Sequence, residues 1–183
     1  MHSPTPRVPR QPTAIRTETD ARLTAELALV VAGARRRALR DGDRQIDTAH
    51  LLHSLIESVP EVRTVVGDGP QVARVLGYLV QRSIGYGLRW QGSVEDSGTV
   101  AVVRDADADA DASGWSPSAV TAMEGALERA RLRGDAQAGG IDLLACLAAD
   151  RESRAVEVLG RAGVDAALLA GRIAEMSRHV SQG

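Results

Sequence analysis

Apolar side chains recur at the three- and four-residue spacing of amphipathic helices along most of the chain. The first such segment follows residue 23 and turns its arginines, Arg35, Arg36, Arg37 and Arg40, mostly away from the apolar face. Thr24 stands at its start as a candidate N-cap, and Gly42 stands where the apolar spacing stops. The pattern therefore predicts a helix between Thr24 and Gly42.

Further helical segments follow the same rules. One begins after Asp47 or Thr48, either of which can cap it, and ends before Pro60. Shorter segments at 61–66 and 71–84 are also predicted to be helical. Ser116 followed by proline indicates another helix start, and three more apolar clusters extend to about residue 173.

Two segments lack this pattern. Residues 1–20 contain four prolines and no apolar period, which predicts a disordered arm. Residues 85–114 are rich in Gly and Asp and predict a linker, in which 88–91 and 99–103 could pair as a short β-hairpin. The alternating aspartates at 105–111 match only the first half of a calcium loop, and a solvated linker is the preferred interpretation.

The chain also repeats itself. A shift of 92 positions places Leu23-Thr24 on Trp115-Ser116, Gly42 on Gly134, and Leu51-Leu52 on Leu143-Leu144. Helical periodicity alone would match at many shifts, but it would not align the caps and the glycine stop as well. The sequence therefore predicts a tandem repeat of two helical units.

Composition narrows the class of protein. The formal net charge is −2, every one of the 22 cationic side chains besides the four histidines is arginine, and there is no phenylalanine. A core filled by Leu, Val and Ala favours close helix contacts, so we expect an all-α fold. Cys146 is the single cysteine, which excludes an intrachain disulfide and fits a cytoplasmic protein. No apolar run is long enough to predict a membrane span.

These repeated residues resemble the double Clp N-terminal domain of ClpA- and ClpC-type AAA+ unfoldases. The first copy contains Leu23-Thr24 and the run Ile46-Asp47-Thr48-Ala49-His50-Leu51-Leu52, and the second contains Trp115-Ser116-Pro117 and residues 139–147. The resemblance implies a pseudo-twofold bundle of two four-helix units. Its expected divisions are an arm at 1–20, a first repeat at 21–84, a linker at 85–114, a second repeat at 115–178 and a tail at 179–183.

The resemblance also implies a docking module without chemistry of its own. The chain contains no phosphate-binding G-x-x-x-x-G-K-[ST] loop, so we expect a free-standing N-domain with no catalytic residue, cofactor or metal. Phosphoarginine receivers of the family use a Thr and a Glu in each copy. Here Thr48 is retained, but the Glu positions are Ala49 and Ile141. Thr48 therefore stays as a candidate anion site without the family's carboxylates.

A second implied site is the groove in which actinobacterial ClpC domains receive hydrophobic cyclic peptides. The candidate ligand- or peptide-binding residues here are Trp115, Ser116, Pro117, Val120, Glu124, Thr24 and Val31. The preferred interpretation makes Trp115 a packing residue that fastens the second repeat onto the first, and this is compatible with a place in the groove wall.

Three functions are compatible with these features. The first is binding of proteins or peptides as an adaptor or decoy of a Clp unfoldase system. The second is sequestration of hydrophobic cyclic peptides near Trp115, and the third is regulation at DNA through the arginines of 35–40, although nucleic acid is not the expected partner.

His50 and His53 share a helix face, but no further Cys or His stands at ligand spacing, so His50 is expected to be structural. Cys146 is expected to be a small buried side chain.

Overall fold

The computed structural model describes residues 21–83, Glu95 and residues 114–180, and within these residues it contains eight α-helices and no strand. The first repeat comprises α1 (Ala25–Asp41), α2 (Thr48–Ser58), α3 (Pro60–Val66) and α4 (Gly69–Ser83), and the second comprises α5 (Pro117–Arg133), α6 (Gly140–Ala149), α7 (Arg154–Arg161) and α8 (Ala166–Val180). The predicted all-α fold of two four-helix units is confirmed. The predicted arm, hairpin and acidic tract lie outside the described residues.

The ends of the two long N-terminal helices of the repeats are set by the residues that the sequence indicates. Thr24 Oγ1 accepts a hydrogen bond from Leu27 N at 3.2 Å, and Ser116 Oγ accepts one from Ala119 N at 3.1 Å. Gly42 and Gly134 close these helices at φ of 70° and 85°. Glycine suits this left-handed conformation because a β-carbon would crowd the following carbonyl. Both predicted helices are confirmed at both ends.

Three details differ from the sequence-based expectations. Pro60 does not simply stop α2, which ends at Ser58, because it also occupies the first turn of α3. Proline fits there since the first amides of a helix have no internal partner. The helix expected at 71–84 starts earlier, at Gly69. Arg37 does not point away from the protein: its side chain is 15% exposed and forms an ion pair with Glu57.

Within each repeat the first and second helices pack against each other at a glycine. A β-carbon on Gly33 of α1 would lie 2.9 Å from Ser54 Oγ of α2, and one on Gly125 of α5 would lie 2.8 Å from Cys146 Sγ of α6. These pairs are related by the shift of 92 positions. Such short distances are below ordinary van der Waals contact, so the glycines allow α1 and α5 to approach their partner helices closely.

The two repeats exchange contacts at the starts of their first helices. Leu23 forms a parallel bridge with Ala138, and Ile46 forms one with Trp115. Thr24 N donates to Ala138 O at 2.9 Å, and Ser116 N donates to Ile46 O at 2.9 Å. Each bridge is the image of the other under the shift of 92. Each repeat therefore holds the start of the other repeat's first helix.

The core is centred on α2 and α6, which contact each other and most of the remaining helices. Its fully buried large side chains are aliphatic and come from both repeats: Leu27, Leu51, Leu52, Leu55, Ile56, Leu79, Leu143, Leu144, Leu147, Leu159, Leu169 and Ile173. Each contributes about 1.5–3 kcal/mol relative to an exposed position. Across the described helices, none is both long enough and apolar enough to cross a bilayer.

Candidate functional site

The candidate anion site at Thr48 already holds a carboxylate, that of Glu95. Thr48 follows the N-cap Asp47 as the first residue of α2, and it is fully buried. Its backbone N donates to Glu95 Oε2 at 2.9 Å, and its hydroxyl donates to Glu95 Oε1 in a short hydrogen bond. Glu95 lies 47 residues further along the chain and is 3% exposed. The start of α2 therefore binds an anion, as its unpaired amides and dipole favour.

Two further donors to Glu95 come from the second repeat. Ser116 Oγ donates to Oε2 at 2.7 Å, and Arg154 N, at the start of α7, donates to Oε1 at 2.9 Å. Ala155 N donates in turn to Thr48 Oγ1 at 3.0 Å, which fixes the orientation of that hydroxyl. Each carboxylate oxygen thus accepts two hydrogen bonds, and the site joins two helix starts with the N-cap of a third helix.

A second buried carboxylate, Asp47, lies beside this site. It accepts a hydrogen bond from His50 N at 2.9 Å, and Arg154 Nη1 lies 2.8 Å from its Oδ2. Arg82 also donates to Oδ2. Burial opposes ionisation of Asp47, but the His50 hydrogen bond and the charge of Arg82 outweigh it and hold its pKa well below the usual range. Asp47 therefore stays charged and holds Arg154, whose amide binds Glu95.

Asp41, Asp43 and His50 bring three possible ligand atoms within 4.8 Å of one another, yet they do not suit a metal ion. His50 Nδ1 accepts a hydrogen bond from Asp47 N at 3.1 Å. A neutral imidazole that accepts at Nδ1 carries its proton on Nε2. His50 Nε2, which lies 2.9 Å from Asp43 Oδ2, then carries a proton and has no lone pair to offer a metal ion. His50 has the structural place expected for it.

The corresponding position in the second repeat is apolar. Gly140 begins α6 there, and a β-carbon on it would lie 3.1 Å from two methyl groups of Val59 and 3.3 Å from one of Leu55. Asp142, in the first turn of this helix, accepts a hydrogen bond from the N-cap amide of Gly139 at 3.0 Å and one from Arg133 Nη1 at 2.7 Å. Burial raises the pKa of Asp142, but Arg133 reverses the effect and lowers it overall. The starts of α2 and α6 therefore differ: the start of α2 binds a carboxylate, whereas the start of α6 packs against aliphatic side chains.

The predicted groove residues lie along two helix starts. Trp115 is half-buried and packs against the core, Ser116 is fully buried, and Thr24 and Val31 are half-buried on or next to α1. Pro117 and Glu124 are exposed and Val120 is half-buried on α5. Thr24 is beside Ala138, whereas Ser116 is beside Ile46, so the residues belong to both exchanged junctions. The exposed members of the set are Pro117 and Glu124, which lie on one face of α5 with the half-buried Val120 between them.

The arginines of α1 and the cysteine of α6 have defined surroundings. Arg37 forms an ion pair with Glu57, and Arg40 Nε lies 3.3 Å from Asp41 Oδ1. These acids offset the positive charge that binding to DNA would require. Cys146 is half-buried against α5, and burial raises the pKa of its thiol. A thiol with a raised pKa is a poor nucleophile at neutral pH.

Neither Glu95 nor Arg154 carries a sequence pattern that predicts membership of this site. Glu95 contacts Ser116, Thr48 and Arg154 at separations of 21, 47 and 59 residues. Local periodicity carries no information over such distances. The available signal was one of several acidic residues within a Gly- and Asp-rich linker. That signal does not distinguish a buried carboxylate from a solvated one.

Comparisons with known proteins identify the fold. No family profile matches the sequence, and no curated protein matches it. Solved structures do match: the N-terminal domain of the caseinolytic protease associated chaperone ClpD from Arabidopsis thaliana covers 86% of this chain and 95% of its own, at 18% identity and a TM-score of 0.58. A chain from structural investigations of a malarial protein secretion system covers 86% and 93%, at 12% identity and a TM-score of 0.57. The chain therefore has the fold of the N-terminal domain of ClpA/ClpC-type unfoldases.

Proposed function

We propose that this chain is a non-catalytic binding domain that acts in the cytoplasm with a Clp-type unfoldase, as an adaptor or a decoy for protein substrates. The observation that carries the proposal is the fold, which the chain shares over 86% of its length with the N-terminal domain of a Clp-associated chaperone. The hydroxyls and amides around Glu95 hold helix starts together, which is a structural use and not a catalytic one.

The face of α5 that carries Pro117, Val120 and Glu124 is the proposed peptide-binding surface. These residues are exposed or half-buried, and Trp115 stands at the start of the same helix. An aromatic, an aliphatic and an acidic side chain on one edge suit a peptide that presents apolar and basic side chains. Ser116 and Pro117 fix the start of the helix, so this edge is rigid before a ligand binds.

The proposal is tested by adding the purified chain to a reconstituted ClpC-type unfoldase and peptidase that degrade fluorescein-labelled casein. A decoy slows degradation and an adaptor accelerates it, in both cases saturably. Val120→Glu should abolish the effect because it places a charge on the proposed surface. Leu168→Glu is the matched control, since Leu168 is 64% exposed on α8. An unchanged rate, or equal loss with both variants, would contradict the proposal.

A second candidate function rests on Trp115. Its ring is half-buried between the core and the start of α5, a position from which it can contact an apolar ligand. On this alternative the chain sequesters hydrophobic cyclic-peptide antibiotics that target ClpC. Titration with a cyclomarin-like peptide should then change tryptophan fluorescence saturably. The sequence contains only one other tryptophan, Trp90, so Trp115→Phe assigns the signal. A folded protein without any response would rule out this function.

A further inference from the structure

The hydrogen bonds around Glu95 point to a function for this residue as an internal ligand. We propose that the junction between the two repeats is a carboxylate-binding site, that Glu95 occupies it in the free protein, and that an acidic side chain of a partner peptide binds there in exchange. The exchange with a peptide rests on the proposed function. The carboxylate site itself does not, and the two are tested separately below.

The arrangement of the donors selects a carboxylate. Thr48 N and Ser116 Oγ both donate to one oxygen, and Thr48 Oγ1 and Arg154 N both donate to the other. Two oxygens with two donors each match the lone pairs of a planar carboxylate. A phosphate group has additional terminal oxygens, which would be desolvated at this buried position without matching donors.

The donors are held in place by contacts that do not involve Glu95. Ser116 Oγ caps α5 through Ala119 N, and Thr48 Oγ1 is fixed by Ala155 N. Arg154 is held at the start of α7 by its ion pair with Asp47, 2.8 Å away. The site is therefore formed by helix ends, whereas Glu95 reaches it from between α4 and α5. Removing the carboxylate should leave a preorganised, empty site.

The internal carboxylate competes with any external one. A group tethered to the same chain has an effective concentration of order millimolar, so an external carboxylate must exceed it to enter the wild-type site. Leaving the site empty is unfavourable because its buried donors would then lack partners. The wild-type protein is therefore closed to dilute carboxylates, and a variant without Glu95 should be open to them.

The test compares thermal unfolding of Glu95→Ala in sodium acetate and in sodium chloride at equal ionic strength. Acetate should raise the midpoint saturably, by about 3 °C or more at tenfold excess over half-saturation. Wild type and Glu152→Ala should show no difference between the salts, since Glu152 is an exposed glutamate two residues before Arg154. Thr48→Val in the Glu95→Ala background should abolish the acetate effect. Equal responses in Glu95→Ala and wild type would overturn the proposal.

Two further arms make each outcome decisive. Sodium phosphate should stabilise Glu95→Ala less than acetate does, and an equal or larger effect would overturn the assignment to carboxylates. If Glu95→Ala does not fold in chloride, folding restored by acetate supports the proposal. Failure to fold in acetate, together with failure of Glu95→Gln, would show an irreplaceable structural contact and overturn it.

Exchange with a peptide is measured by calorimetry with acetyl-Gly-Glu-Gly-amide and its Gln counterpart. Glu95→Ala should bind the Glu peptide at least about tenfold more tightly than wild type does, because the internal competitor is absent. The Gln peptide should not bind. An acetate effect without peptide binding would refute the exchange while leaving the carboxylate site in place. Neither result depends on the unfoldase assay, so failure of the proposed function is recognised separately.

Discussion

Replacing Thr48 with valine removes one buried hydroxyl from the contact between the two repeats and preserves the shape of the side chain. That hydroxyl donates to Glu95 Oε1 and accepts from Ala155 N. Valine makes neither bond, and Thr48 is fully buried, so water cannot replace them. Thr48→Ser keeps the hydroxyl and removes only a methyl group, which makes it the matched control.

The two variants should differ in stability by a measurable amount. Leaving Ala155 N without an acceptor costs about 1–3 kcal/mol, and weakening a hydrogen-bonded carboxylate that keeps three donors adds to this. We expect a loss of about 3 kcal/mol for Thr48→Val. Thr48→Ser should lose about 1 kcal/mol, the contribution of one buried methyl group.

Urea unfolding followed by circular dichroism at 222 nm measures both losses. A chain of this size should also lose about 2–4 °C in its thermal midpoint for each kcal/mol. The ordering, with valine well below serine, tests the geometry directly. If Thr48→Val lies within about 0.5 kcal/mol of Thr48→Ser, the hydroxyl does not bridge the repeats and the description of this site is wrong.

Three shorter predictions concern other parts of the fold. Gly42→Ala should lower the free energy of unfolding by about 1 kcal/mol because φ at this residue is 70°. Gly77→Ala should raise it by up to about 1 kcal/mol, because Gly77 lies in a helix and a β-carbon there would meet no neighbour. Changes of the same sign for both variants in urea unfolding would contradict the backbone argument. Burial and then the charge of Arg37 lower the pKa of His53 from 6.5 to about 4, so the free energy of unfolding should fall as pH drops from 6.5 towards 4. His53→Gln should flatten that fall, and an unchanged slope would exclude His53 as its source. Cys146 should react more slowly with Ellman's reagent at pH 8 than a free thiol does, since burial raises its pKa; immediate reaction before denaturant is added would refute this.

The features that the sequence predicted correctly are those determined by neighbouring residues. Thr24 and Ser116 cap helices by accepting hydrogen bonds from amides three residues away. Gly42 and Gly134 are the C-caps of the same two helices. Such interactions have the same form in any protein, so residue type and spacing suffice to locate them. The repeat of 92 positions then placed equivalent helices in both halves and indicated the fold.

The candidate site was only partly predictable, for the opposite reason. Thr48 was identified because it begins a helix, but its occupant was not, since Glu95 approaches from a distant segment. The ion pair of Arg37 with Glu57 was likewise missed, because helical spacing places Arg37 on the outer face of α1. Contacts between elements depend on how the helices are arranged in three dimensions, and a periodic pattern does not contain that arrangement.

The exchanged bridges at Leu23–Ala138 and Ile46–Trp115 have a consequence for synthesis on the ribosome. When the last residue of the first repeat has been added to the growing chain, the bridge partners of Leu23 and Ile46 have not yet been translated. At about 5–20 residues per second, the 55 positions between Ser83 and Ala138 take several seconds to appear. During that interval the nascent first half exposes the apolar surface that later meets α5 and α6. The order of translation therefore leaves this half open to chaperones until its second half arrives.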